Sequence, residues 1–362
     1  MHTLSLLAVS LCCAVAWAQS DPADTLPADP IDEQSQGEIF NADASRWSLK
    51  DIARRDITVY WENDGTVPNL VSNTDRFYTN GFGVELSFDP GFSDELKAKL
   101  APAGEWTDPR FGFGLSIKQR IFTGVDITDP APAVGDHPYS GYLYFGFSFQ
   151  RADAKKHDHF ELDLGVVGER SQAEAVQRFV HNLFPDQDTP QGWSSQHANE
   201  LTINFSYDRT WKSEPGTIAG VEFEMLPSVG FDLGNVSTRA RSRLTFRAGY
   251  NIPDDFGPAS LLGFKDHTIS RFSQGDPECS IYAYFTLGVD AVAHSIFLEG
   301  NTFATSRSVD SEPLLAQAKF GVAARYKAFY LGWSQSFETE SYESQPDAQT
   351  WGSLVVGCSF GY

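Results

Sequence analysis

Residues 201–211 read Leu-Thr-Ile-Asn-Phe-Ser-Tyr-Asp-Arg-Thr-Trp, and this stretch decides the fold. Successive side chains of a β-strand point to opposite faces, so apolar residues fall on one face here and mainly polar residues on the other. Apart from Arg209, the apolar face consists of large aliphatic and aromatic groups. A strand of this kind is suited to lipid on one side and water on the other, as in a transmembrane β-barrel.

The same alternation recurs along most of the chain. It predicts an all-β protein, an antiparallel transmembrane β-barrel of about twelve strands. The predicted strands span 56–64, 77–89, 110–123, 140–152, 158–167, 200–212, 220–234, 239–252, 279–298, 315–326, 328–339 and 350–362. An even number returns both ends of the barrel to the same side of the membrane. The ninth span is long enough for two strands, which leaves fourteen possible if one more has been missed.

A soluble β-sandwich is the alternative, because its strands also alternate. Three features favour the barrel: aromatic outward faces, strands of ten or more residues, and a last strand whose apolar face continues to Tyr362. That last strand has the pattern of an outer-membrane assembly signal, so we expect the barrel assembly machinery as a partner. After the first eighteen residues, no run approaches the roughly 20 apolar residues of a membrane-spanning helix.

The chain divides into three parts. Residues 1–18 are predicted to be a cleaved signal peptide, residues 19–45 a disordered acidic periplasmic leader, and residues 46–362 the barrel with active-site outer loops. The net charge of −21 argues against nucleic acid as a partner and favours divalent cations. In the mature chain Cys279 and Cys358 remain, and free thiols are favoured over a single disulfide bond.

One outer loop contains a predicted short helix, residues 171–184. Ser171 is the expected N-cap, and Glu174 stands at the capping-box position. Gln177 and His181 are four residues apart and therefore share a helix face. We expect this face to be turned toward the barrel wall.

Polar residues between Glu62 and Gly81 break the alternation and cluster at the predicted rim. Histidine takes a proton from water near neutral pH, and clustered Asp, Asn and Thr oxygens are ligands that Ca²⁺ prefers. Together they predict metal-assisted ester hydrolysis. The same residues also fit a simpler interpretation, in which Asp and Asn cap turns and His181 packs on a surface.

The order and spacing of these motifs resemble the outer-membrane lipid A 3′-O-deacylases over the whole mature barrel. The motifs are Asn63-Asp64, Thr74-Asp75-Arg76-Phe77-Tyr78-Thr79-Asn80-Gly81, Ile121-Phe122-Thr123, Gly135-Asp136-His137-Pro138-Tyr139-Ser140-Gly141, Gly165-Val166-Val167-Gly168 with Gln177 and His181, and Gly192-Trp193-Ser194-Ser195-Gln196. The resemblance implies a twelve-stranded barrel in the bacterial outer membrane. It also implies a Ca²⁺-dependent release of the 3′-O-linked acyloxyacyl chain of lipid A, by chemistry similar to that of secreted phospholipase A2.

Residue by residue, the resemblance implies a site between the barrel wall and the loop helix. Asn63, Asp64 and Thr79 fall on active-site positions, with Asp64 and Asn63 as Ca²⁺ ligands, and His181 falls on the general base. The residues expected to surround them or contact substrate are Asp75, Tyr78, Gln177, Trp193 and Gln196.

Two departures from the family pattern concern the head group and the metal ligands. Residues 123–136 contain no Lys or Arg where the family has a functional lysine, and Gln187 replaces a family glutamate. We expect a monomer that acts on lipopolysaccharide of the outer leaflet. The rival functions are a Ser-His phospholipase, which a serine-directed reagent would inhibit, and a non-catalytic barrel, which would tolerate His181→Ala.

Overall fold

The computed structural model describes residues 55–65, 68–71, 74–89, 91–92, 94–102, 104–183, 188–258 and 278–360. The predicted signal peptide, the predicted leader and Gln187 lie outside the described residues and stay predictions. The strands are β1 Arg55–Asn63, β2 Phe77–Phe88, β3 Arg110–Thr123, β4 Ser140–Ala152, β5 Lys156–Val167, β6 Glu200–Trp211, β7 Gly216–Ile218, β8 Val221–Gly234, β9 Ser237–Tyr250, β10 Cys279–Ser295, β11 Leu314–Tyr326, β12 Phe329–Glu338 and β13 Gln349–Phe360. The α-helices are α1 Asp94–Leu100, α2 Ala173–Leu183 and α3 Ile296–Glu299. Within these ranges no helix has the length and apolar character needed to span a bilayer.

Twelve long strands form a closed antiparallel barrel. β1 pairs with both β2 and β13, and β6 pairs with both β5 and β8, so the sheet closes on itself. The predicted twelve-stranded barrel is therefore confirmed, and β7 adds only a three-residue hairpin with β8. The long ninth span is the single strand β10, followed directly by α3.

The alternation that predicts the strands separates the two faces of the wall. On β6, Leu201 is 79% exposed and Ile203 57%, whereas Ser206 is completely buried. Tyr142 and Tyr282, on the inward faces of β4 and β10, are also buried. Most lipid-facing positions are thus apolar, and the lumen is packed with side chains.

Arginines of β9 fill one side of the lumen. Arg239 pairs with Asp232 at 2.7 Å, and Arg247 pairs with Glu224. Both arginines and their partners lie on the inward faces of adjacent strands. Glu222 makes no such pair with the described arginines and accepts a hydrogen bond from the Ile252 backbone at 2.8 Å. In the strand register, Glu222 lies opposite Gly249 rather than an arginine.

Three local features complete the comparison with the sequence. Helix α1 was not predicted, because none of its side chains is buried and no apolar periodicity marks it. Helix α2 begins two residues later than expected: Ser171 belongs to a preceding 3₁₀ turn, and its hydroxyl donates to the Gly168 carbonyl at 2.6 Å. Cys279 and Cys358 are both free thiols.

Candidate active site

Helix α2 lies against the lipid-facing side of β3 and β4, near the rim at which β1 ends. Ile121 faces outward from β3 and packs with Ala173 and Trp193. Gln119, two residues along the same face, donates to the Ser171 carbonyl at 2.6 Å. The helix therefore covers a patch of the outer wall rather than the lumen.

Gly141 on β4 makes this close approach possible. A Cβ at this position would lie 2.1 Å from the Ser171 hydroxyl and 2.2 Å from the Ala173 Cβ. Real Cβ atoms do not come so close to other heavy atoms, so any side chain here would push α2 off the wall. The glycine thus sets the distance between the helix and the barrel.

A β-bulge forms the barrel side of the site. Tyr78 pairs with Phe122 and Asn80 pairs with Ile121, so Thr79 is the extra residue between them. Bulges near barrel rims often redirect a side chain toward an active site. Just before it, Phe77 has a φ of 62°, a left-handed conformation that is uncommon for a bulky residue.

Asp64 follows β1 and is buried in the first outer loop. Its Oδ2 accepts hydrogen bonds from the Thr74 hydroxyl at 2.9 Å and from the Arg76 backbone N–H at 2.8 Å. Its Oδ1 is buried without a hydrogen-bond partner. Burial, followed by the negative charge of Asp75, raises the pKa of Asp64 well above its ordinary value. A carboxylate in this position lacks a counter-charge.

His181 on α2 is held at both ring nitrogens. Nε2 lies 3.0 Å from Asp75 Oδ2, and Nδ1 lies 2.6 Å from the Asp188 carbonyl oxygen. Gln177 donates to Asp75 Oδ1 at 3.3 Å, and the Trp193 indole donates to Gln177 at 2.8 Å. Burial lowers the pKa of His181, but the hydrogen bond and charge of Asp75 outweigh it and raise the pKa above its ordinary value.

Thr79 joins this arrangement through Thr123, the last residue of β3. The two hydroxyl oxygens are 2.6 Å apart, and the Thr123 hydroxyl donates to the Asp75 carbonyl at 3.1 Å. A hydroxyl has one proton to donate, so Thr79 must be the donor to Thr123. The remaining lone pairs of Thr79 can then only accept hydrogen bonds or bind a cation.

The other predicted site residues have different surroundings. Asn63 caps a turn, because its Oδ1 accepts from the Gly65 backbone at 2.6 Å and its amide donates to the Thr79 carbonyl at 2.9 Å. Tyr78 faces the lumen, where its hydroxyl donates to Glu62 at 2.7 Å. The structure therefore does not bring Tyr78 together with His181. Gln196 follows the turn that carries Trp193, and its Oε1 is buried without a hydrogen-bond partner.

Among the described residues, no cluster of three or more His, Cys, Asp and Glu side chains has the geometry of a metal site. Two carboxylates are nevertheless close, since the charge of Asp75 acts on Asp64. One oxygen of Asp64 is buried and unpartnered. Two acidic groups with hydroxyl, amide and carbonyl oxygens nearby form a donor set that suits a hard cation such as Ca²⁺.

The family model for "Outer membrane protein LpxR" matches residues 5–360, nearly the whole chain. The chain belongs to the LpxR family. It is thus an outer-membrane β-barrel and an ester hydrolase of the lipid A deacylase class, as the sequence motifs predict. The chain has no match among curated protein sequences.

One solved structure supports the same fold. LpxR from Salmonella typhimurium superposes with a TM-score of 0.67 and 16% identity, over 85% of this chain and 100% of that chain. The beta domain of the Bordetella autotransporter Brka gives a TM-score of 0.41 at 11% identity, over 86% and 100% of the two chains. The translocator domain of NalP from Neisseria meningitidis gives 0.38 at 8% identity, over 86% and 89%.

Within this LpxR-family site, two further groups contact the predicted residues. Thr123, which belongs to a family motif of the sequence but was given no role there, links Thr79 to the Asp75 backbone. The Asp188 carbonyl, which sequence reasoning missed, lies against His181. The Asp188 contact comes from a backbone atom, which no side-chain motif reveals.

Proposed function

We propose that this LpxR-family barrel hydrolyses the ester of the 3′-O-linked acyloxyacyl chain of lipid A, with Ca²⁺ as cofactor and His181 as general base. One observation carries the proposal. The His181–Asp75 pair and the unpartnered Asp64 oxygen lie together at the outer wall, beside α2. A lipid of the outer leaflet can reach such a site sideways, without entering the packed lumen.

His181 supplies the base. Both of its nitrogens lie against oxygen acceptors, so with both contacts made the ring carries two protons and is the conjugate acid of the base. To act as the base, the ring gives up the Nδ1 proton to solvent, and a water molecule takes the place of the Asp188 carbonyl at Nδ1. Nδ1 then takes a proton from this water, while Asp75 keeps the proton on Nε2 and stabilises the imidazolium that forms again. This division of roles follows the logic of a carboxylate-oriented histidine.

Asp64 is the principal candidate for holding Ca²⁺, with Asn63 and Thr79 beside it. The ion supplies electrostatic stabilisation of negative charge on the ester carbonyl oxygen. Asp64 contributes its free Oδ1, and Thr79 contributes an oxygen whose proton is already donated. Asn63 still has a second lone pair on Oδ1, although its turn hydrogen bond makes it the weaker ligand.

The remaining residues position these groups. Gln177 and Trp193 form a hydrogen-bonded line that ends on Asp75 and fixes its carboxylate. Gln196 lies next to this line in sequence and space and is assigned to the same supporting role. Tyr78 acts from the lumenal side, where its bond to Glu62 anchors the start of β2.

A serine mechanism receives less support. Ser171 donates its proton to a backbone carbonyl. Ser140 does lie 3.1 Å from His197 Nδ1, but both residues are buried, and burial lowers the pKa of His197 to about 4. A phospholipid ester has no path to this pair. A passive pore is disfavoured by the packed lumen.

The test is mass spectrometry of lipid A from cells that express the wild type, His181→Ala or Asp64→Ala, with Ca²⁺ or with a chelator. We expect only the wild type in Ca²⁺ to lose an acyloxyacyl unit. Unchanged lipid A in cells with a folded wild-type barrel would refute the proposal. Inhibition by a serine-directed reagent but not by the chelator would favour the phospholipase.

A further inference from the structure

Asn80 is a polar residue on the lipid-facing side of the wall that the proposed chemistry does not use. In the strand register it lies between Asn63 on β1 and Ile121 on β3. Residues directly opposite each other in an antiparallel pair share a face, so these three form one outward row. The next outward row toward the membrane contains the apolar residues Trp61 and Phe82 together with Gln119, whose amide is satisfied because it donates to the Ser171 carbonyl.

The carboxamide of Asn80 is not satisfied by the protein. Its Oδ1 is buried and has no hydrogen-bond partner. Asn63 in the same row, by contrast, uses both ends of its amide. A polar group on a lipid-facing surface is costly unless it has a partner, and such groups usually mark a functional site. Rotating the amide by half a turn would only replace a buried acceptor with a buried donor.

The depth of Asn80 indicates which part of a substrate would meet it. Thr79 belongs to the proposed reacting centre, and Asn80 is one residue further from the rim. A strand rises about 3.3 Å per residue. This spacing is close to the distance between the ester carbonyl carbon of an acyl chain and an oxygen on its third carbon. Deeper outward positions on β1 and β2 are apolar and suit the hydrocarbon that follows.

We propose that the Asn80 carboxamide hydrogen-bonds the oxygen substituent at C3 of the acyl chain being removed, and so selects 3-hydroxyacyl or 3-acyloxyacyl esters over plain acyl esters. An amide can accept from a hydroxyl or donate to an acyloxy oxygen, so one residue serves both substituents. The inference rests on the proposed function and adds a specificity residue to it.

The experiment uses the full-length barrel in detergent with two synthetic lipids. Both are O3 esters of the same acylated glucosamine phosphate, one with a 3-hydroxytetradecanoyl chain and one with a tetradecanoyl chain. The wild type should prefer the 3-hydroxy ester by about tenfold in kcat/KM, the value of one hydrogen bond. Asn80→Leu should cleave the plain ester at the wild-type rate and lose the preference, and Asn80→Ser should retain part of it.

Thr238→Val is the matched control, because Thr238 is a polar residue at the start of β9. It lies near the same outer rim as Asn80 but on another part of the wall. The substitution should leave the preference unchanged. Two results would overturn the inference alone: an equal loss on both esters in Asn80→Leu and Asn80→Ser, or a higher Ca²⁺ requirement in these variants. A wild type that cleaves neither ester would overturn the proposed function together with the inference. Heat-modifiable migration on gels verifies that each variant is folded.

Discussion

Replacing Asp75 with Asn should separate the orienting role of this carboxylate from the chemistry of His181. The substitution keeps the shape of the side chain and its contact with Gln177 but removes the charge 3.0 Å from His181 Nε2. A hydrogen bond to a charged group contributes about 1.5–3 kcal/mol. If Asp75→Asn removes this stabilisation from the imidazolium but not from the neutral ring, kcat should fall by about tenfold to a hundredfold.

The pH profile provides the diagnostic readout. His181 acts as a base only when neutral, so activity should rise with pH through its pKa, which Asp75 raises. Asp75→Asn lowers that pKa, and the acid limb of kcat should move to lower pH. The His181–Asp75 pair stabilises the folded protein fully below the pKa that His181 has in the unfolded chain. This stabilisation is lost as pH rises through the pKa of His181 in the folded protein, so Asp75→Asn should destabilise the loop mainly in acid.

The assay is initial-rate hydrolysis of lipid A by the purified barrel between pH 4 and pH 9, at roughly the limits of histidine titration. His294→Ala, which removes a histidine paired with Glu299 and leaves the dyad intact, provides the comparison. A kcat within about twofold of the wild type, with an unmoved acid limb, would refute the assignment of Asp75 as the residue that orients His181.

Three further predictions concern the metal, the helix and the head group. Asp64→Asn should abolish Ca²⁺-dependent activity yet raise the melting temperature in chelator, because ionising this buried group beside Asp75 is unfavourable. Rate assays with and without Ca²⁺ measure the loss of activity, and calorimetry in chelator measures the rise in melting temperature. Gly141→Ala should displace α2, since its Cβ would collide with Ala173, and should lower activity by about a hundredfold while the barrel stays folded; gel migration and rate assays together test this. Arg76→Gln should raise KM for phosphorylated lipid A by a few-fold without changing kcat, because residues 123–136 of the second outer loop contain no Lys or Arg, and the partly exposed pair of Arg76 with Asp347 is weak enough to be exchanged for a phosphate. Dephosphorylated lipid A should show no difference between Arg76→Gln and the wild type.

The barrel is predictable from sequence because the alternation of apolar and polar residues that produces it is visible within each strand. On strands such as β6, alternate residues are apolar toward the lipid and polar toward the packed lumen. Every residue of the strand therefore helps to indicate that it belongs to a membrane barrel. The predicted ends of the twelve long strands therefore lie within a few residues of the observed ones. Helix α2 was equally visible, since Gln177 and His181 fall on one helical face.

The orientation of the site could not be read from alternation alone. Strict alternation puts Tyr78 and Asn80 on the same face, and the family resemblance grouped Tyr78 with the site. The extra residue Thr79 reverses the parity, so Tyr78 enters the lumen while Asn80 faces outward. A bulge depends on the partner strand's register, which is a property of the pair and not of either sequence.

The account depends most directly on a comparison of two histidines, His181 on α2 and His294 near the end of β10. His181 and His294 each lie beside a carboxylate, and His294 Nδ1 is 2.7 Å from Glu299. Purified wild type, His181→Ala and His294→Ala should be incubated with lipid A in Ca²⁺ and in chelator, and the released acyloxyacyl acid measured. The account predicts release by wild type and His294→Ala in Ca²⁺ only, and none by His181→Ala. Release by His181→Ala at the wild-type rate would contradict it.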